Sequence, residues 1–135
     1  MKRIISMSIL FCLSIGLNAQ ESTQNKTAIA STLIGEWIID LRPTPDAEAY
    51  LKSFVIDSLV GKSFSGTFYG SPIENGLLNS DWESIFFAFT TQDNTYPYYH
   101  SGYVKDGRIY GISYCPGRGF TIPWNGDKND NTKEP

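Results

Sequence analysis

The segment from Ile85 to Tyr114, IFFAFTTQDNTYPYYHSGYVKDGRIYGISY, constrains the fold most, because it reads as three adjacent strands joined by two tight turns. Ile85, Phe87 and Phe89 alternate with Phe86, Ala88 and Thr90 until Asp93-Asn94 breaks the run. His100, Gly102 and Val104 alternate with Ser101 and Tyr103 until Lys105-Asp106-Gly107 turns the chain back. A period of two bounded by turn residues is the pattern of a half-buried strand. The Asp-Gly pair supplies the positive φ that a short hairpin loop needs.

The N-terminus carries Lys2-Arg3, an apolar run from Ile4 to Leu17, and then Leu17-Asn18-Ala19 ahead of a polar segment. This is the layout of a secretory signal peptide over residues 1–19, with cleavage expected after Ala19. The apolar run is short for a bilayer span. Phe11 precedes Cys12 where a lipoprotein signal wants a small residue, so no lipid or membrane anchor is expected and the protein reads as secreted or periplasmic. Losing Lys2 and Arg3 from the 11 basic residues leaves nine against 14 acidic ones, a net charge of −5 that makes nucleic acid a poor partner. Cys12 leaves with the signal, so Cys115 has no internal disulfide partner and burial must stabilise the fold.

Residues 20–32 read as a flexible lead-in and residues 33–124 as a single domain. A first strand over 33–41 ends at Arg42-Pro43-Thr44-Pro45, where two prolines stop pairing. Asp46 to Lys52 has room for one helical turn. Strands follow over 54–59 and 62–69, with Phe64, Gly66 and Phe68 on one face. Gly70 to Asp81 reads either as a long rim loop or as a short edge strand. After the central three strands, Cys115 to Gly119 turns the chain into a last strand over 120–124, and 125–135 reads as a disordered tail. The fold class is therefore all-β: a small up-and-down antiparallel barrel of about seven to eight strands, since a meander must close to hide its edges.

Several short motifs in order resemble the calycin barrels, and avidins more than typical lipocalins. Gly35-Glu36-Trp37 is similar to the Gly-x-Trp that opens both groups, with the Trp closing one barrel end. Gly66-Thr67-Phe68 resembles the avidin Gly-Thr-Tyr, Ala88-Phe89 its Ala-Trp wall, and His100-Ser101-Gly102 its Trp-Ser-Gly. The resemblance runs from Gly35 to Trp124 and implies Phe68, Phe89, Tyr98, His100 and Ser113 as ligand-binding positions. It also implies a structural cation-π pair between Trp37 and Arg118, as lipocalin-like barrels stack a late Arg on the opening Trp. Gly70 to Asp81 and the stretch after Trp124 depart from the avidin pattern, so an avidin-like shell with a different pocket is implied.

His100 is the only histidine, which argues against a multi-histidine metal site. Acid-base work would require a carboxylate beside it, and Glu74 and Asp81 are the candidates. Its plainer role is a half-buried strand residue with a satisfied ring. The aromatic side chains either line a pocket or fill the core, and Cys115 reads as an inert buried thiol. The alternation predicts Phe68, Phe89, Tyr98 and His100 inward, and Phe86, Thr67 and Tyr99 outward, with Phe86 covered by Gly70 to Asp81 or by another subunit. The expected function is non-catalytic binding of a small apolar or aromatic ligand without a cofactor or metal, with a homo-oligomer left open. The alternatives are an interaction or inhibitor module using the 70–81 and 93–97 loops, and a cofactor-free hydrolase or isomerase around His100.

Overall fold

The computed structural model describes residues 13–130, with side chains from Ala19 onward. The rest of the expected signal peptide, residues 1–12, and residues 131–135 of the expected tail lie outside the described residues. A helix α1 (Leu13–Ser31) leads into nine strands: β1 (Gly35–Asp40), β2 (Leu51–Val60), β3 (Ser63–Phe68), β4 (Ser71–Pro72), β5 (Glu74–Asn79), β6 (Ile85–Gln92), β7 (Pro97–Lys105), β8 (Arg108–Cys115) and β9 (Phe120–Lys128). All pairings are antiparallel. Strand β1 pairs with both β2 and β9, and β3 pairs with β2 and β5, so eight strands close into an up-and-down barrel and β4 sits outside the ring on β3.

The period-two pattern sets the inside. Along β6, Ile85, Phe87, Phe89 and Thr91 are buried, while Phe86 and Ala88 are exposed. Phe68 and His100 are also buried, and Tyr99 is exposed, which is the expected register. At the β7–β8 hairpin, Asp106 and Gly107 both take positive φ (51° and 75°), which gives the two-residue loop its twist.

Five rings form the centre. Phe54, fully buried, meets Phe89 at 5.1 Å, Phe68 at 5.4 Å, Phe87 at 5.8 Å and Trp124 at 5.9 Å between centroids. Removing each such ring from water stabilises the fold by roughly 1.5–3 kcal/mol. Glycine admits this packing at Gly111, where a Cβ would lie 2.2 Å from the Trp124 ring. Gly66 (φ 156°) crosses β2 so closely that a Cβ would stand 1.9 Å from the Val55 carbonyl oxygen.

The two barrel ends differ. At the first, Ala30 and Leu33 join the core, and the Trp37 indole donates to the Leu33 carbonyl at 2.9 Å. Lys26 of α1 reaches Asp81 at 2.9 Å, and Lys62 meets the same carboxylate at 3.1 Å, which ties the helix over this end. The second end is formed by the 41–50, 69–73, 93–96 and 116–119 connections and holds a cavity.

Several expectations need correction. Within Gly70 to Asp81 only β4 is a short edge strand, and the larger part is no rim loop: β5 is an integral barrel strand, disguised by Asn75 at φ 53° and by a register shift between Glu74 and Leu77. Because β5 lies beside β6 in the sheet, it does not cover Phe86, which stays 45% exposed. The last strand continues past Trp124 to Lys128, because Ile38 and Ile39 of β1 offer backbone to Asp127 and Gly126. Residues 20–31 of the expected flexible lead-in form part of the helix, and 46–50 contain no helix before β2 begins at Leu51. The Trp37–Arg118 pair is not made. Lys128, paired with Trp37 across β1 and β9, places its ammonium 5.6 Å from the indole, while Arg118 sits at the other end, 5.3 Å from the Tyr96 ring.

Candidate functional site

The cavity at the second end has a volume of about 490 Å³. Its apolar walls come from Leu41 after β1, Phe68 of β3, and Phe120 and Ile122 of β9. Its floor is polar. Thr91 (β6), His100 (β7) and Ser113 (β8) are inward residues of three neighbouring strands, each 4–5% exposed. Strand pairing sets His100 opposite Ser113 and Phe89, so the imidazole is held in one layer by the sheet itself.

His100 Nε2 lies 2.9 Å from the Thr91 hydroxyl and Nδ1 lies 2.7 Å from Ser113 Oγ, which also accepts from the Trp124 indole at 2.9 Å. The imidazole lies parallel to the Phe89 ring at 4.5 Å and beside Phe68 at 4.4 Å. Burial among these rings pushes its pKa down to about 4, so His100 is neutral at physiological pH. No carboxylate among the described residues is bonded to it. The two proposed for that role lie elsewhere: Asp81 is bound to Lys26 and Lys62 at the closed end, and Glu74 starts β5 as an exposed residue.

At the mouth, Asp93 accepts backbone N–H bonds from Thr95 and Tyr96, both at 2.7 Å, and a hydrogen bond from Tyr98 at 2.8 Å. The Arg118 guanidinium donates to the same carboxylate at 2.7 Å and to the Tyr98 oxygen at 2.6 Å. The Tyr96 backbone N–H and the Arg118 guanidinium lead the bonds that hold the Asp93 carboxyl well below its ordinary range. Burial, aided by the Asp93 bond, raises Tyr98 above the ordinary tyrosine value. Across the opening, Tyr50 and Tyr69 share a hydroxyl hydrogen bond, with Lys52 4.6 Å and 5.0 Å from their ring centroids.

Of the residues expected at a ligand site, Phe68, Tyr98, His100 and Ser113 come together around this cavity. Phe89 lies one layer deeper and supports the imidazole from below. Arg118 closes the mouth's ion pair, and Trp37 is at the far end. Sequence reasoning missed Thr91, although it shares the parity of Phe87 and Phe89, as well as Asp93, Tyr50, Tyr69, Phe120 and Ile122.

Two larger depressions, about 810 and 620 Å³, lie on the outer sheet face around Phe86, Tyr103 and Tyr110 and around Leu77, Tyr99 and Tyr114. The buried polar side chains Thr91, His100 and Ser113 converge in the interior cavity, and a site needs a few placed polar groups within apolar walls. Cys115 is a free, fully buried thiol. No known protein family, no individual curated protein and no solved structure matches this chain. The class that the fold defines is therefore a closed eight-stranded antiparallel barrel, consistent with a calycin-like architecture.

Proposed function

We propose that this protein is a secreted or periplasmic barrel of the avidin and lipocalin kind that binds a small, mainly apolar or aromatic molecule in its open-end cavity, without chemistry and without a cofactor. The observation that carries the reading is a cavity with apolar walls over three convergent polar side chains, of a size ordinary for small-molecule sites. Secretion is supported by the Lys2-Arg3 start and the apolar run ahead of Ala19. Binding is favoured over catalysis because both ring nitrogens of His100 are engaged by hydroxyls and its ring packs against Phe68 and Phe89 with no carboxylate among the described residues bonded to it. The net acidity of the chain speaks against nucleic acid.

The test is titration with the uncharged fluorophore N-phenyl-1-naphthylamine. Saturable one-to-one binding is expected, and Ile122→Trp, which fills the cavity, abolishes it. The exposed outer aromatic side chains Phe86, Tyr99, Tyr103 and Tyr114 favour, as a second reading, an interaction module or a homo-oligomer. Loss of fluorophore binding in Tyr103→Ser, with Ile122→Trp unaffected, moves the site to that outer face.

A further inference from the structure

Hydrogen counting at the cavity floor narrows the ligand class. The Trp124 indole N–H can only donate, so Ser113 Oγ accepts from it at 2.9 Å. A neutral imidazole has one donor and one acceptor. In one arrangement Ser113 donates to Nδ1, and the Nε2 proton goes to Thr91. The Thr91 hydroxyl hydrogen then has no partner among the described residues. In the other, Thr91 donates to Nε2, and Ser113 accepts from both Nδ1 and Trp124. The Ser113 hydroxyl hydrogen is then left without one. Whichever nitrogen carries the proton, one hydroxyl donor remains, and Thr91 and Ser113 both belong to the cavity lining.

The floor itself is uncharged. At the mouth Asp93 and Arg118 neutralise each other at 2.7 Å, and the Lys52 ammonium, outside the residues that line the cavity, lies over the Tyr50 and Tyr69 rings at the rim. A carboxylate or ammonium carried down to the floor meets no countercharge and loses its hydration, which is costly. A carbonyl, ether or aromatic aza nitrogen meets the waiting O–H and leaves nothing unpaired.

Resting on the reading of this cavity as a ligand site, we infer that its ligand is an uncharged aromatic or similarly apolar molecule that enters with a hydrogen-bond acceptor first, directed at the Thr91–His100–Ser113 floor. The tautomer of His100 lets the donor move from one hydroxyl to the other, so the acceptor can sit toward either β6 or β8.

Four probes of one shape test this on the full chain at pH 8: 2-acetylnaphthalene, 2-ethylnaphthalene, 2-naphthoate and 2-(aminomethyl)naphthalene. The ketone is expected to bind at least about tenfold tighter than the hydrocarbon, a single hydrogen bond's worth, and tighter than either ion. Its carbonyl stretch, read by infrared difference spectroscopy, moves below its frequency in hexane. Making the floor apolar with Thr91→Val, His100→Leu and Ser113→Ala together removes the ketone's advantage. The wild-type spectrum decides the matter even if that variant does not fold. Equal binding of ketone and hydrocarbon, with the carbonyl at its hexane frequency, overturns the inference while leaving a binding barrel. Tightest binding of naphthoate or of the amine overturns it in favour of a charged ligand. Binding of none of the four overturns the site itself.

Discussion

The two ends of this barrel are built from the same eight strands, yet one is shut and the other open. At the shut end, α1 brings Ala30 and Leu33 into the core and the Trp37 indole finds the Leu33 carbonyl, so the apolar and polar requirements are met together. At the open end no helix of the described residues arrives, and the inward positions change from phenylalanine to Thr91, His100 and Ser113. The alternation that fills the barrel with rings at Phe87 and Phe89 continues into Thr91 on the same strand face. A barrel can thus use one half for stability and keep a cavity in the other, with the layer of Phe54, Phe68 and Phe89 as the boundary.

The contrast can be broken most severely at that boundary. Phe54→Ala removes the ring that touches Phe68, Phe87, Phe89 and Trp124, and is expected to cost about 3–5 kcal/mol in urea unfolding. A loss below about 1 kcal/mol contradicts a tightly packed centre. Leu33→Ala at the shut end is expected to cost about 3 kcal/mol, whereas Ile122→Ala on the cavity wall costs about 1 kcal/mol. Equal costs at the two ends erase the distinction.

Acid probes the open end. Burial holds the His100 pKa at about 4 in the folded protein, below the ordinary imidazole value of 6.5, so protons bind preferentially to the unfolded chain. The stability that this neutral histidine retains is full above pH 6.5 and drains as pH falls toward 4, by up to about 3 kcal/mol. Denaturation midpoints at pH 7.5 and 4.5 measure it, and His100→Gln flattens that part of the profile. A wild-type midpoint unchanged over this range contradicts the buried, hydroxyl-bonded imidazole.

The smallest effect belongs to the mouth. Arg118→Ala removes a half-exposed partner of Asp93, and no resolvable change in the unfolding midpoint is expected, since such exposed pairs contribute little. Lys128→Ala acts at the other end, where its ammonium lies 5.6 Å from the Trp37 ring, and is expected to perturb Trp37 fluorescence while Arg118→Ala leaves it unchanged. The reverse pattern restores the pairing of Trp37 with Arg118.

The central meander was the more legible in the sequence. The β6–β8 meander carries strict alternation, strong β formers and an Asp-Gly turn, and these set the inward placement of Phe89, Tyr98 and His100, while the alternation in β3 set that of Phe68. The closing elements were illegible for physical reasons. In β5 the bulge places Gly76 and Leu78 inward and Leu77 outward, so two adjacent leucines mask the period. The end of β9, Asn125-Gly126-Asp127-Lys128, has the composition of a solvated tail and becomes a strand only because β1 supplies its partner. With that end unseen, Lys128 could not be matched to Trp37, and Arg118 took its place. Asp93 was read as a turn residue; its second oxygen, bonded to Tyr98 and Arg118, shows only in three dimensions.

The proposed division between a binding end and a sealed end is tested most directly by nuclear Overhauser contacts between bound N-phenyl-1-naphthylamine and the methyl groups of the protein. Contacts to Leu41 and Ile122 at the open end, with none to Leu33, Leu78 or Ile85 in the closed half, are the predicted result. Contacts confined to Leu77 and Ile112 on the outer face, or reaching Leu33, contradict it.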